Sequence, residues 1–328
     1  MTVSQASFAL PRLNIYATGG TIAGSSASAT DTFQYETATL GIDKLIAAVP
    51  ELKKIAEVKG EQIASVDSND ISVAILLQLA QKLHQDLAGD TAAAVITHGT
   101  DTLEETAFFL SLTTKTDKPI ILVGAMRPAT AISADGSMNL LQAASVAVHE
   151  DAAKRGVMMV MNDRIGSGFY ITKTRANTPD AFKSVEAGYL GLMIGLEPHF
   201  YYLPQQPSNR PYFDVSGYKE LPRVDIIYGY QSTDTALLDA AIENGAKAVV
   251  IDATGAGSLS TPLLERVKEL TAQGFPIVRA SRTVEGYISV PEDEGTGSGF
   301  LNAQKARIML MLALAQQDDL ATIRNYFK

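Results

Sequence analysis

Short apolar runs alternate along this chain with segments in which apolar residues recur at helical spacing. The runs are five to seven residues long and typical of strands that are buried on both faces. They are Leu13–Ala17, Ala93–Thr97, Pro119–Val123, Gly156–Asn162, Val224–Tyr228, Ala246–Asp252 and Pro276–Ala280. Helical spacing follows at Ile42–Val49, at Leu103–Leu110, at Asp234–Asn244 and after Ser260-Thr261-Pro262. This alternation predicts an α/β fold in which a mainly parallel sheet is flanked by helices.

The pattern changes over residues 203–222, which hold four prolines among polar residues and show no helical period. We predict a linker there. It divides a larger N-terminal α/β domain, residues 1–202, from a smaller C-terminal α/β domain, residues 223–328. A chain of 328 residues is long enough for two such cores.

Composition narrows the class of function. A net charge of −9 disfavours nucleic acid and anionic membrane, because phosphate repels a protein of that sign. The chain has no cysteine and no metal-binding histidine spacing, so we expect neither thiolate chemistry nor a metal, and no cofactor. The apolar runs are too short to span a bilayer. No signal peptide is visible, so we expect a cytoplasmic protein, or a periplasmic one if a signal peptide has been removed.

The first candidate loop, Thr18-Gly19-Gly20-Thr21, follows the first predicted strand. Paired glycines let the backbone turn sharply, and Thr21 then presents a hydroxyl where ligands bind in parallel sheets. A plain turn or a phosphate-binding loop is the alternative, although the G-x-G-x-x-G spacing and the Walker lysine are both missing.

The second candidate loop runs from His98 to Glu105 after the strand Ala93–Thr97. Thr102 and Glu105 have the spacing of a capping box at a helix start, which assigns both to structure. Thr100 and Asp101 then remain as a hydroxyl and a carboxylate side by side. The N–H groups of a helix start also favour developing negative charge.

A threonine hydroxyl needs a base before it can attack. The four histidines are better explained as packing or surface residues, with His98 placed to shape the second loop. Lys173, in Tyr170-Ile171-Thr172-Lys173-Thr174, lies in a short β-like stretch. A solvated surface charge is the simpler interpretation of Lys173, and a catalytic lysine is the alternative.

Taken together, these residues resemble the bacterial L-asparaginase and glutaminase-asparaginase family, type II branch. The similarity runs from about Leu13 to the C-terminus, and so many motifs in the same order make it very specific. The N-terminal motifs are Ala17-Thr18-Gly19-Gly20-Thr21-Ile22-Ala23-Gly24, Val58-Lys59-Gly60-Glu61-Gln62 and Ile96-Thr97-His98-Gly99-Thr100-Asp101-Thr102. The later motifs are Gly124-Ala125-Met126-Arg127-Pro128, Ser133-Ala134-Asp135-Gly136, Met161-Asn162-Asp163, Thr172-Lys173-Thr174 and Leu301-Asn302-Ala303-Gln304-Lys305-Ala306-Arg307.

The resemblance implies a catalytic set of five residues. Thr21 matches the nucleophile, which attacks the side-chain amide to give an acyl-enzyme and ammonia. Thr100, Asp101 and Lys173 match a proton-handling cluster, and Tyr35 matches the tyrosine of a mobile lid that supports the nucleophile. The small residues of Gly24–Thr30 then belong to that lid, whose opening they permit.

The resemblance also implies a substrate-binding set. Its members are Ser68, Asn69, Thr100, Asp101, Ala125, Ser258 and Glu294. Asn69 is one methylene shorter than the family's usual glutamine or glutamate. Ser258 stands where a neighbouring subunit often supplies asparagine, and Glu294 is chosen over Glu292 as the intersubunit glutamate. One methylene is worth roughly 1–3 kcal/mol in a pocket, so these departures put the preference between asparagine and glutamine in doubt.

The sequence therefore predicts a threonine-nucleophile amidohydrolase that converts L-asparagine to L-aspartate and ammonia, with some activity on L-glutamine. Comparable activity on both amides is the alternative among enzymes. A non-catalytic amino-acid-binding protein is the alternative of a different class. The resemblance further implies a homotetramer built from intimate dimers, in which each active site is completed by the partner's C-terminal domain.

Overall fold

The computed structural model describes residues 9–32, 36, 40–208 and 210–328. The chain forms two compact units. The first includes the residues up to Ala107, with Lys115–Ser184 and Gly188–Gln206. The second consists of Phe108–Thr114, Val185–Ala187 and Pro207–Lys328.

An eight-stranded sheet organises the first unit, in the order β10-β9-β6-β5-β4-β3-β1-β2. Its strands are β1 (Arg12–Gly19), β2 (Glu57–Val66), β3 (Ala93–Thr97), β4 (Ile120–Val123), β5 (Val157–Met161), β6 (Arg164–Ser167), β9 (Gly191–Ile194) and β10 (Glu197–Phe200). A separate antiparallel pair is formed by β7 (Ile171–Lys173) and β8 (Phe182–Ser184). Strands β1 to β5 run parallel, whereas β6, β9 and β10 pair antiparallel.

The first five helices accompany this sheet in the chain. They are α1 (Ile42–Ala47), α2 (Leu52–Ile55), α3 (Val73–Ala88), α4 (Leu103–Thr113) and α5 (Gly136–Ala147), with short 3-10 helices at Thr21–Ala23, Ser68–Asp70 and Glu150–Ala152. All residues of β3 and β4 are buried, so both faces of these strands are covered, as their apolar sequences predict.

The second unit contains a smaller parallel sheet in the order β11-β12-β13-β14. Its elements are β11 (Val224–Tyr228), α6 (Ala236–Glu243), β12 (Ala248–Ala253), α7 (Thr261–Ala272), β13 (Ile277–Ser281), β14 (Thr296–Gly297), α8 (Ala303–Ala315) and α9 (Leu320–Asn325), with a 3-10 helix at Glu292–Glu294. Leu238, Val249, Ile251 and Val267 belong to its buried core. The predicted fold class, a larger N-terminal and a smaller C-terminal α/β domain, is confirmed.

The segment predicted as a linker contributes to packing. Phe213 and Val215 within it are almost fully buried in the second unit. The Phe213 ring meets the Tyr326 ring edge to face at 5.3 Å between centroids, and the Phe213 N–H donates to the Leu112 carbonyl at 2.9 Å. Part of the predicted linker is therefore irregular in backbone but packed into the second unit, as the burial of Phe213 and Val215 shows.

The sequence pattern does not predict strand β2, because this edge strand is only partly buried and carries polar residues. The short antiparallel strands β6, β8, β9 and β10 escape prediction for a similar reason, since three or four residues give no usable period. Strand β7 lies within the β-like stretch that the sequence indicates around Lys173. Among the described residues, no helix has the length and apolar character needed to cross a membrane.

Candidate active site

Four loops meet at one edge of the larger sheet because β1, β2, β3 and β4 are parallel neighbours. The carboxyl ends of parallel strands lie together, so the chain after each strand arrives at the same place. The loops begin at Gly20, Asp67, His98 and Gly124. This edge is where the sequence predicts ligand binding.

Two glycines allow the first and third of these loops to touch through their backbones. Gly20 has a φ of +79°, and a Cβ atom placed there would lie 2.3 Å from the Cα atom of Gly99. A Cβ atom on Gly99 would in turn lie 2.8 Å from the Cβ atom of Ser68. Glycine is required at both positions, because another loop occupies the space that a side chain would need.

Side-chain hydroxyls bond the same loops to one another. Thr18 Oγ1 donates to the Thr97 carbonyl at 2.9 Å, and Thr102 Oγ1 donates to the Ser68 carbonyl at 2.7 Å. Through this bond Thr102, which the sequence assigns only to a helix cap, holds the loop that carries Ser68. These bonds give two backbone carbonyls, of Thr97 and Ser68, a side-chain donor from a neighbouring loop.

His98 is fully buried and neutral, and it shapes the third loop. Its Nδ1 lies 2.7 Å from the Gly99 carbonyl, which only accepts, so Nδ1 carries the proton. Its Nε2 lies 2.8 Å from the Thr106 hydroxyl and accepts from it. Burial lowers the pKa of His98 to about 4, although the Gly99 hydrogen bond and the charge of Asp67 oppose that shift. A neutral ring of fixed tautomer is suited to holding backbone, not to exchanging protons near pH 7.

Asp135 and Asn139 bond to the backbone of the fourth loop, which begins at Gly124. The Asp135 carboxylate accepts from the N–H groups of Met126 and Arg127 at 3.0 to 3.2 Å. Asn139 Nδ2 donates to the Gly124 carbonyl at 3.0 Å, and its Oδ1 accepts from the Asn162 N–H at 3.1 Å. Asp135, from the motif Ser133–Gly136, and Asn139 on α5 therefore hold the backbone of the loop that begins at Gly124.

Lys173 contacts two other predicted site residues. Its Nζ lies 2.9 Å from Thr100 Oγ1 and 2.5 Å from Asp101 Oδ1. The Lys173 side chain is 12% exposed and that of Asp101 58%. A solvated surface lysine is thus the wrong description, since β7 delivers this ammonium against a threonine and a carboxylate.

A polar cavity of about 220 Å³ lies over these loops. It is lined by Gly20, Thr21, Thr32, Asp67, Ser68, Gly99, Thr100, Asp101, Met126, Lys173, Ala176 and Asn177. Five of the predicted site residues therefore share one cavity: Thr21, Ser68, Thr100, Asp101 and Lys173. Tyr35 lies outside the described residues.

Two predicted binding residues of the first unit, Asn69 and Ala125, do not line the cavity. Asn69 Nδ2 donates instead to Asp67 Oδ1 at 2.8 Å. Ala125 is fully buried, and its methyl group packs close to Gly136. Their roles toward a substrate stay predictions.

Ser258 and Glu294 belong to the second unit, where Arg279 bonds both of their segments. The buried Arg279 guanidinium donates to the Gly257 carbonyl at 2.8 Å and to Glu294 Oε2 at 3.0 Å. Glu294 also pairs with Lys268 at 3.0 Å. Its carboxylate is therefore committed within its own chain, and the intersubunit role stays a prediction.

The sequence reasoning did not single out Asp67, Thr32, Ala176 or Asn177. Asp67 directly follows β2, so a correct prediction of that strand would have placed it at the ligand-binding edge. Ala176 and Asn177 follow β7 in an irregular loop that carries no periodic signal.

Comparison with known proteins matches both units of the chain to the asparaginase family. The family described as "Asparaginase, N-terminal" matches residues 12–206, and "Glutaminase/Asparaginase C-terminal domain" matches residues 223–327. The chain is 46% identical to "L-asparaginase 2" of Bacillus subtilis, covering 97% of this chain and 86% of that protein. It is 42% identical to "Glutaminase-asparaginase" of Pseudomonas fluorescens biotype A, covering 97% and 90%. A solved structure called probable cytoplasmic L-asparaginase, from Campylobacter jejuni, superposes with a TM-score of 0.93 at 42% identity, covering 97% of this chain and 99% of that one.

The depressed pKa of His98 makes stability depend on pH. Between about pH 6.5 and pH 4 the unfolded chain takes up a proton at His98 while the folded chain does not, so acid favours unfolding. Stability from this residue is complete above about pH 6.5, and about 3 kcal/mol of it is lost as the pH falls to 4. We expect His98→Gln to remove this dependence, so that the difference in Tm between wild type and variant narrows on acidification. His84→Gln, on α3, is the control, and parallel Tm profiles for wild type and His98→Gln would contradict the assignment.

Proposed function

Because the chain belongs to the asparaginase family, we propose that it hydrolyses L-asparagine to L-aspartate and ammonia through a threonine acyl-enzyme. The observation that carries this proposal is the shared cavity of Thr21, Thr100, Asp101 and Lys173. Such a reaction would make the protein an amidohydrolase.

The proposed reaction has two steps. The Thr21 hydroxyl oxygen bonds to the side-chain carbonyl carbon, the carbon–nitrogen bond breaks, and the nitrogen leaves as ammonia after receiving a proton. Water then attacks the ester and restores the Thr21 hydroxyl. Lys173, Thr100 and Asp101 carry the protons of both steps, which their separations of 2.9 and 2.5 Å support.

The size and polarity of the cavity support a small zwitterionic substrate. A volume of about 220 Å³ lies below the range of typical drug-sized sites, so it favours an amino acid over a peptide. Ser68, on a loop tied down by Thr102, is proposed to bind the α-carboxylate, and Asp101 the α-ammonium. Tyr35 and Gly24–Thr30 are proposed as the lid that excludes water.

We also propose a homotetramer in which Ser258 and Glu294 complete a neighbouring subunit's site. The resemblance supports this assembly, and sedimentation tests it against the 35.0 kDa mass of one chain. We propose a cytoplasmic location, which the solved relative called probable cytoplasmic L-asparaginase supports.

Removing the nucleophile tests the acyl-enzyme. We expect Thr21→Ala to lower ammonia release from L-asparagine at least about a thousandfold, because no other group forms the ester. Thr21→Ser keeps a hydroxyl and is the matched control. Lys173 contacts Thr100, so Thr100 is the competing nucleophile. If Thr21→Ala retains most of its kcat and Thr100→Ala loses it, Thr100 and not Thr21 is the nucleophile.

Removing the ammonium tests the proton-handling cluster. We expect Lys173→Met to lower kcat for L-asparagine about 10²- to 10⁴-fold, the range for loss of general acid–base catalysis. The control is Lys183→Met on β8, which breaks an ion pair with Asp180 of 2.6 Å. Equal losses in both variants would show that the effect is structural.

A comparison of L-asparagine with L-glutamine, which is one methylene longer, tests the proposed substrate preference. We expect kcat/KM for L-asparagine to exceed that for L-glutamine at least about tenfold, because an extra methylene must be accommodated at a cost of about 1–3 kcal/mol. The relative named glutaminase-asparaginase makes comparable activity the alternative. Nearly equal kcat/KM values for the two amides would establish that alternative.

A further inference from the structure

Asp67 is a second carboxylate in the cavity, and the mechanism above does not use it. It lies directly after β2 and caps the 3-10 helix Ser68–Asp70. Asp67 lines the same cavity as Thr21 and Lys173.

The carboxylate of Asp67 is anchored through one oxygen. Oδ1 accepts from the Asn69 backbone N–H at 3.0 Å and from Asn69 Nδ2 at 2.8 Å. Within the described parts of the chain, no donor is bonded to Oδ2 and no cation pairs with Asp67 within 4 Å. An ionised carboxylate accepts about four hydrogen bonds. The two bonds to Oδ1 fix the Asp67 carboxylate in place, and Oδ2 can still accept hydrogen bonds from a ligand.

The charges of the cavity point to what Oδ2 binds. Its charged lining residues are Asp67, Asp101 and Lys173. Lys173 lies 2.5 Å from Asp101 and offsets that charge, which leaves the charge of Asp67 without a cationic partner among the residues that the structure describes. A substrate that carries an α-ammonium supplies the missing cation, and hydrogen bonds between charged groups are the strong ones.

We infer that Asp67 binds the substrate's α-ammonium together with Asp101 and thereby selects α-amino acids over amides that lack the amino group. The inference rests on the proposed function. Asn69 then acts through Asp67, since its amide must turn Nδ2 toward a carboxylate that can only accept. Asp67 is a specificity-determining residue for the same reaction.

The test compares ligands that differ only in the α-ammonium. L-Asparagine and succinamate share the reacting amide and the carboxylate, and L-aspartate and succinate are the matching inhibitors. Asp67→Asn removes the charge but keeps an oxygen that can cap the helix. Asp70→Asn removes one charge from the same helix, and Asp70 does not line the cavity, so it is the control.

We expect Asp67→Asn to lower kcat/KM for L-asparagine about tenfold or more, mainly through KM, and to weaken L-aspartate inhibition equally. Succinamate turnover and succinate inhibition stay within about twofold of the wild-type values, and Asp70→Asn changes neither pair. Asp67→Ser, another good capping residue, should repeat the result if Asp67→Asn folds poorly.

Two failures are distinguishable. If wild-type protein releases no ammonia from L-asparagine, the proposed function itself is overturned. If the wild type is active but Asp67→Asn affects L-aspartate and succinate equally, or neither of them, only the inference about Asp67 is overturned.

Discussion

The backbone contact between Gly20 and Gly99 is the constraint on which the site depends. It sets the distance between the loop that carries Thr21 and the loop that carries Thr100 and Asp101. A Cβ atom on Gly20 would lie 2.3 Å from the Gly99 Cα atom, so a side chain there would force the loops apart. Catalytic groups on different strands need positions fixed to within about half an ångström, and direct backbone contact provides such a stop.

Hydrogen bonds that contain no catalytic atom keep that contact in register. His98 holds the Gly99 carbonyl, Thr18 holds the Thr97 carbonyl, and Thr102 holds the Ser68 carbonyl. Each uses a side chain to satisfy a buried or half-buried backbone acceptor, which is costly to leave unpaired. Because His98 stays neutral, no ionisation disturbs this scaffold near neutral pH. Rigidity thus comes from polar side chains next to the predicted site residues.

The sequence predicts the parallel core and the site's composition for physical reasons that do not extend to every part. Buried strands such as Ala93–Thr97 show continuous apolar runs, and the structure places that strand at the predicted residues. Val224–Tyr228 is also a strand at the predicted residues, but it lies at a sheet edge and is only partly buried, so the expected burial of both its faces is wrong. Strand β2 lies at a sheet edge, so its mixed sequence gives no clear period and Asp67 goes unnoticed. Lys173 looks like a surface charge because its partner Asp101 is 72 residues away. Only tertiary structure brings the two together.

The position of Lys173 also explains why one carboxylate is insufficient. Taking an ammonium out of water is costly unless an anion lies beside it, and Asp101 fills that role for a lysine that is 12% exposed. The Asp101 side chain, 58% exposed, can still meet a ligand from the solvent side. If Asp101 were the only carboxylate of its own chain to do so, however, two cations would share one negative charge of that chain. A fixed second carboxylate on the neighbouring loop removes that conflict, and Asp67 supplies it without loosening the pairing between Asp101 and Lys173.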